Sequence, residues 1–207
     1  MYIFRRTSSL KPEHMLDGMA FAVEVAAKVT SITGRDLSVF NTVFGAPIGT
    51  IHWTARFESL AELGEVTAKL AVDSGYMDMV QNASGLFSSL PSDTVVSIIS
   101  SSLTGTPQRY AAITEAVPAN GKIAEAVAFG VETQAHVAKS GRNTAFGTCP
   151  FGAYGAVTWV VAGQTMADID TLQNFFTTDA TFQKLVADAS DLFVEGSGHN
   201  SLLERIN

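Results

Sequence analysis

Residues 34–53 read GRDLSVFNTVFGAPIGTIHW, and residues 141–159 read GRNTAFGTCPFGAYGAVTW. With one single-residue gap the two stretches match at several places, among them Gly34 with Gly141 and Trp53 with Trp159. Beyond the tryptophans a constant offset of 106 carries residues 61–87 onto 167–193, and upstream an offset of 108 carries 20–29 onto 128–137. The chain is therefore one unit of about 105 residues written twice, and this repeat decides the fold before any single motif does.

The composition limits the classes of protein to which the chain can belong. Hydrophobic residues make up 46% of its 207 residues and charged residues only 16%, so we expect much of each unit's surface to be covered, most simply by the other unit. The single cysteine, Cys149, excludes an intramolecular disulfide and a cysteine-based metal cluster. A net charge of -7 without a run of Lys or Arg argues against nucleic-acid binding.

The sequence contains no apolar run that approaches the roughly 20 residues of a membrane-spanning helix. Met1 leads directly into the strand-like MYIFRR, without the charged, apolar and cleavage regions of a signal peptide. We therefore expect a cytoplasmic protein without a membrane span.

Hydrophobic periodicity and turn residues predict the same order of elements in both halves. In the first half they predict strands over residues 2–7, 37–44, 50–57 and 94–99, and helices over 12–32, 60–70 and 76–87. In the second half they predict a strand over 109–117, a helix over 121–139, a hairpin over 143–163, a helical segment over 166–193 and a short last strand within 199–207. Ser59, followed by Glu62, predicts a capping box where the second helix of the first half begins.

Each half therefore follows the order β-α-β-β-α-β, which is that of the ferredoxin-like fold. We predict an α+β protein with two domains, residues 1–105 and residues 106–207. The Ser/Thr/Gly/Pro-rich residues 100–108, SSSLTGTPQ, favour neither helix nor strand and are the predicted linker.

Residues 52–63, HWTARFESLAEL, resemble the strand-to-helix junction of NIPSNAP-like proteins, in which an aromatic strand precedes a helix that starts with Ser-Leu. Together with the doubled element order, they make nearly the whole chain resemble the dimeric α/β-barrel superfamily. The resemblance implies two ferredoxin-like units that pack sheet to sheet as an α/β barrel within one chain, a pseudo-dimer with its helices outside. It also implies several different activities, because a fold does not determine a function.

Residues 50–57 alternate between the two faces of the predicted sheet. One face carries Thr50, His52, Thr54 and Arg56. The other face carries Ile51, Trp53, Ala55 and Phe57. The second-half residues that correspond to the first face are Ala156, Thr158, Val160 and Ala162. The polar face of the first half has therefore become largely apolar in the second.

The arginines of the first strand change in the same direction. Arg5 and Arg6 correspond to Ile113 and Thr114 in the second half. Because a buried charge is costly unless it is paired, the concentration of cationic and titratable groups predicts a wet pocket or an anionic ligand. If one half is active, we expect it to be the first.

His52 is the candidate general base or haem ligand, and Arg56 is the candidate for binding a carboxylate or an anionic intermediate. The alternative is that both are solvated or paired residues at the rim of the sheet, with Glu58 as the partner. The predicted ligand-binding set consists of His52, Thr54, Arg56, Arg5, Tyr2 and Trp53.

Several conspicuous residues also have a purely structural explanation. Trp53 and Tyr2 recur as Trp159 and Tyr110, a repetition that favours packing in the core. The remaining histidines, at positions 14, 136 and 199, are predicted to lie on the surface. Neither HxxxH nor HExxH occurs, and we predict no metal site.

Three functions remain open from the sequence. The first is a NIPSNAP-like protein of unassigned activity that binds a small molecule in a pocket of the first unit. The second is a cofactor-independent monooxygenase or isomerase of a small aromatic or polyketide-like substrate, and the third is a haem-binding protein that uses one histidine. Apart from haem in the third case, no cofactor is predicted. The sequence leaves open whether full chains form homo-oligomers through their outer surfaces.

Overall fold

The computed structural model describes residues 1–105 and 107–207. Its strands are β1 (Tyr2–Ser9), β2 (Ser38–Phe44), β3 (Thr50–Phe57), β4 (Ser92–Ser101), β5 (Tyr110–Ala116), β6 (Asn143–Phe151), β7 (Val157–Gly163) and β8 (His199–Arg205). These eight strands form one closed barrel in the order β1-β3-β2-β8-β5-β7-β6-β4. The first half contributes the run β4-β1-β3-β2 and the second the run β8-β5-β7-β6, so the predicted α+β fold of two ferredoxin-like units in one barrel is confirmed.

The helices also follow the repeat. The described residues form α1 (Met15–Thr33), α2 (Leu60–Val72), α3 (Ser74–Asn82), α4 (Ile123–Lys139), α5 (Met166–Thr178) and α6 (Ala180–Asp188). None of these described helices is both long and apolar enough to cross a membrane.

The predicted helical segment over residues 166–193 is wrong as one continuous piece. Asp179 has an extended backbone, and its side chain accepts the backbone N–H of Phe182 at 2.7 Å, so α5 ends there and α6 begins. Asp73 does the same for Tyr76 in the first half, also at 2.7 Å. The break is therefore an N-cap that occurs in both repeats.

Two predicted boundaries of the first half change. Ser59 accepts the backbone N–H of Glu62 at 3.1 Å, as predicted, but the Glu62 carboxylate accepts from the backbone N–H of Glu58 rather than from that of Ser59. One of the two hydrogen bonds of the predicted capping box therefore forms as predicted, and the other forms one residue earlier in the chain. The predicted linker also begins too early, because Ser100 and Ser101 belong to β4. One linker residue, Thr106, lies outside the described residues.

The packing of the chain divides it into two compact units. Unit 1 comprises Met1–Val95 and Glu204–Asn207, and unit 2 comprises Val96–Leu203. The C-terminal residues belong to unit 1 because Ile206 donates its N–H to the Val39 carbonyl at 2.9 Å and Asn207 Oδ1 accepts the Val39 N–H at 2.9 Å. The domain boundary that the repeat predicts, between residues 105 and 106, stays a prediction.

In unit 1, helix α1 covers one face of β2 and β3. Ala22 and Ala26 of this helix pack against Val39, Ile51 and Trp53, all of them buried. The indole Nε1 of Trp53 donates a hydrogen bond to the Ala22 carbonyl at 3.0 Å. The predicted core position of Trp53 is therefore confirmed.

Unit 2 packs its helix α4 in the same manner but with different residue sizes. Trp159 donates its indole N–H to the Thr133 hydroxyl of α4 at 3.0 Å. Phe146 is fully buried, and its ring occupies the space that a side chain at Gly130 would need. Unit 1 has Val39 and Ala22 at these two repeat positions. In unit 2 a larger strand residue is thus combined with a smaller helix residue.

Candidate functional site

The polar residues of interest lie on the face of unit 1 that α1 does not cover. In the β1–β3 pairing, Thr7 lies opposite His52 and Arg5 lies opposite Thr54. Paired residues in an antiparallel sheet point to the same side, and the predicted alternation along β3 is confirmed by the packing of Trp53 on α1. We define the histidine face as Arg5, Thr7, Thr42, His52, Thr54 and Arg56.

His52 lies at the centre of this face and is buried, with 8% of its surface exposed. Its Nδ1 lies 3.1 Å from the Thr7 hydroxyl, and its Nε2 lies 2.9 Å from the Thr42 hydroxyl. Burial, and secondarily the charge of Arg5, lowers the pKa of the His52 imidazole to about 4. The ring is therefore uncharged near neutral pH, and both of its nitrogens have hydrogen-bond partners.

The cationic part of the face is more accessible than the imidazole. Arg5, Thr54 and Arg56 are all partly exposed. Arg5 lies directly across from Thr54, and Arg56 is the next residue of β3 on the same side, so the two arginines are diagonal neighbours. Arg5 is close enough to affect the charge of His52, whereas Arg56 lies four residues from His52 along β3, with Thr54 between them.

Two members of the predicted ligand-binding set lie elsewhere. Tyr2 pairs with Phe57, and Trp53 is buried under α1, so both point to the opposite side of the sheet from His52. The interpretation of His52 as a rim residue beside Glu58 is also wrong, because the histidine is buried. Of the six predicted residues, the structure brings together Arg5, His52, Thr54 and Arg56.

Arg6, the neighbour of Arg5, has a structural role. It points to the helix-covered side and forms two hydrogen bonds of 2.8 Å with the carboxylate of Asp93 on β4. The hydrogen bond with Asp93 is the largest of the effects that raise the pKa of the Arg6 guanidinium. Adjacent arginines of β1 thus serve different faces of the sheet.

The sequence did not identify Thr7 and Thr42, the two hydroxyl partners of His52. Thr7 could have been found by extending the alternation of β1, because it follows Arg5 by two residues. Thr42 could not, because the register of β2 against β3 is not readable from residue types alone.

The corresponding face of unit 2 has a different chemistry. Thr158 stands at the place of His52, and its hydroxyl lies 3.5 Å from the thiol of Cys149, the counterpart of Thr42. The places of Arg5 and Arg56 are taken by Ile113 and Ala162. The imidazole and the two guanidinium groups are therefore a property of unit 1.

The same geometry limits the binding of a metal ion or of haem. Within the described residues, no group of three or more His, Cys, Asp or Glu side chains is arranged to hold a metal ion. A neutral imidazole has one nitrogen with a free lone pair, and in His52 either nitrogen already lies at a threonine hydroxyl. As placed, His52 does not fit the coordination of a haem iron.

Two of the histidines predicted to lie on the surface, His14 and His136, are partly buried. His136 of α4 is half-buried, its Nε2 lies 2.8 Å from Asp179 Oδ1, and its ring centroid lies 5.7 Å from that of Phe175. Unit 1 has the pair Lys28 and Asp73 at these positions, with a distance of 3.2 Å between the charged atoms. His136 therefore links α4 to the start of α6.

No family model matches the sequence, and no curated protein matches it. Several solved structures are similar to it in fold. A "putative monooxygenase" from Fusobacterium nucleatum subsp. nucleatum superposes with a TM-score of 0.76 at 8% identity, over 100% of this chain and 92% of its own. A protein described as anthrone oxidase-like superposes with a TM-score of 0.67 at 11% identity, over 100% of this chain and 91% of its own.

A NIPSNAP family protein from Agrobacterium tumefaciens str. C58 matches 47% of this chain and 92% of its own, with 17% identity and a TM-score of 0.42. At these identities the full-length similarities show the fold alone. The predicted resemblance to dimeric α/β-barrel proteins is therefore confirmed at the level of fold, and NIPSNAP family proteins are among the structural neighbours of this chain.

Proposed function

We propose that unit 1 binds a small molecule on the histidine face through an anionic or carbonyl oxygen. The observation that carries this proposal is the placement of Arg5 and Arg56 as diagonal neighbours on the same face as His52, whose imidazole burial keeps neutral. Guanidinium groups donate charge-assisted, bidentate hydrogen bonds to carboxylates and similar oxygens. Two of them on one partly exposed surface favour a ligand of opposite charge.

The absence of charge on His52 determines which residues make the charged contacts with a ligand. With a pKa near 4, the ring adds no third positive charge at neutral pH, and its nitrogens are engaged by Thr7 and Thr42. The charged contacts with a ligand would therefore come from Arg5 and Arg56, with the Thr54 hydroxyl between them. Such a protein fits the NIPSNAP-like alternative, a binding protein without an assigned reaction.

The proposal is tested by calorimetric titration with three aromatic probes that carry oxygen acceptors: salicylate, 2-naphthoate and 1,8-dihydroxyanthraquinone. We expect at least one of them to bind the wild-type protein, and we expect Arg56→Ala to weaken that binding at least about tenfold. Benzylamine, a cation of similar size, is the control and should not bind. Failure of all three probes, or equal affinity in Arg56→Ala, would overturn the proposal.

A second candidate function is a cofactor-independent oxygenation or isomerisation on the same face. It is favoured by the unprotonated state of His52, since a neutral imidazole can accept a proton while adjacent arginines stabilise the anion that is left. The low pKa also makes the ring a weak base, which is why binding without chemistry is our first proposal.

An oxygen electrode distinguishes these two functions. Anthrone plus one O2 gives anthraquinone plus one water, so catalysis would consume oxygen in proportion to the quinone formed. If the enzyme function is correct, oxygen uptake above the uncatalysed rate falls in both His52→Gln and Arg56→Ala. Uptake at the background rate with anthrone, while a probe still binds, would reject anthrone oxidation and retain the binding function.

A further inference from the structure

The buried hydroxyl of Thr42 lies at one of the two ring nitrogens of His52. Thr42 is 3% exposed, and within the described part of the chain its hydroxyl has one hydrogen-bond partner, the Nε2 of His52 at 2.9 Å. If Nε2 carried a proton and donated it, the hydroxyl hydrogen of Thr42 would be buried without an acceptor, which costs about 1–3 kcal/mol. The buried hydroxyl therefore donates, and Nε2 accepts.

The orientation of Thr7 follows from that assignment. A neutral imidazole that accepts at Nε2 carries its proton on Nδ1, so the Nδ1–H donates to the Thr7 oxygen at 3.1 Å. The hydroxyl hydrogen of Thr7 is then not used by His52. Thr7 is partly exposed, whereas His52 and Thr42 are buried, so this hydrogen is available at the surface of the histidine face.

We propose that Thr7, and not His52, donates the neutral hydrogen bond to the oxygen of the ligand, and that Thr42 is a positioning residue that acts through His52. This inference rests on the proposed binding function. It also narrows the ligand class, because Arg5, Thr7 and Arg56 all present donors on the same face. The group that they select is an oxygen that only accepts hydrogen bonds, such as a carboxylate, a phenolate or a ketone.

Unit 2 shows what the same positions do without this arrangement. The counterparts of Thr42 and His52 are Cys149 and Thr158, whose side-chain atoms are 3.5 Å apart. The counterpart of Thr7 is Glu115, which has no hydroxyl group. Thr158 therefore provides a matched control, a buried threonine at the same sheet position without an imidazole.

The first part of the test needs no ligand. Long-range nitrogen–proton NMR spectra of the full chain identify which ring nitrogen of His52 carries the proton. We expect Nδ1–H in the wild-type protein at pH 7, a loss of this single tautomer in Thr42→Val, and no change in Thr158→Val. A wild-type ring protonated on Nε2, or an unaltered tautomer in Thr42→Val, would overturn the assignment.

The second part measures salicylate affinity in variants whose folding is checked by thermal melting. We expect Thr7→Val to weaken binding about tenfold and Thr7→Ser, which keeps the hydroxyl, to bind within about twofold of the wild type. If salicylate binds Thr7→Val as tightly as the wild type, the role of Thr7 is wrong although the binding function stands. If none of the acceptor-bearing probes binds the wild type, the binding function fails, and the role of Thr7 fails with it, whatever the tautomer.

Discussion

Replacing Gly130 by alanine is expected to destabilise unit 2, although most such changes in helices are stabilising. The new Cβ would lie within 3.0 Å of three ring atoms of Phe146, a side chain that is fully buried. Helix propensity alone favours alanine by about 1 kcal/mol, whereas overpacking a core costs about 1–3 kcal/mol and occasionally more. With a contact this short we expect the upper part of that range, a net loss of about 2 kcal/mol.

Urea and thermal unfolding followed by circular dichroism measure this effect, and Gly64→Ala is the matched control. Gly64 lies in α2, where an added Cβ would meet no described atom within 4 Å, so that variant should gain stability. The double variant Gly130→Ala, Phe146→Val should recover part of the loss, because unit 1 has Ala22 and Val39 at these positions. If Gly130→Ala were as stable as Gly64→Ala, the close packing of α4 on Phe146 would be refuted.

Four further predictions concern the core, the face and its histidine. Trp53→Ala and Trp159→Ala should each lose about 3–5 kcal/mol of stability in thermal unfolding, and a melting temperature near that of the wild type would place that tryptophan outside the core. In calorimetry, Arg56→Ala should lose about 1.5–3 kcal/mol of salicylate affinity, while Ala162→Arg should create no binding site in unit 2. The folded-state pKa of His52, about 4, lies below its ordinary value of 6.5, so the unfolded chain takes up this proton first. The contribution of His52 to the free energy of unfolding is therefore complete above about pH 6.5, and up to about 3 kcal/mol of it is lost as the pH falls towards 4. Urea unfolding of His52→Gln should lack this part of the pH dependence. An unchanged profile would contradict the burial of His52. On titration with hemin, the Soret band should behave in the same way in the wild-type protein and in His52→Gln.

The fold was largely predictable because the sequence repeats and because strand alternation is strong. The strand over residues 50–57 was predicted to the residue, since apolar side chains alternate along it between turn residues and a helix cap. The split at Asp179 was not predicted, because an aspartate within an apolar helical pattern does not show whether it caps a new helix. The extension of β1 to Ser9 depends on distant partners, including the hydrogen bond of the Ser8 hydroxyl to the Ser89 carbonyl.

The candidate site was predictable only in part. Alternation along β3 placed Thr54 and Arg56 on the same side as His52, because a strand contributes every second residue to one face. The side of Arg5 follows from the register of β1 against β3, which residue types do not determine. The burial of the imidazole and its lowered pKa depend on packing that residue types do not determine. Thr42 could not be identified from the sequence for a related reason, since the β2–β3 register is set by the hairpin and by the core under α1.

We propose that the ligand binds to the histidine face of unit 1 and not to the corresponding face of unit 2. The most direct measurement is a titration of isotopically labelled protein with salicylate, followed in backbone amide NMR spectra. If the histidine face binds the ligand, the amide shift changes saturate together and centre on Arg5, Thr54 and Arg56. Changes that centre instead on Val160 and Ala162 of unit 2, or spectra that do not change at any probe concentration, would contradict this proposal.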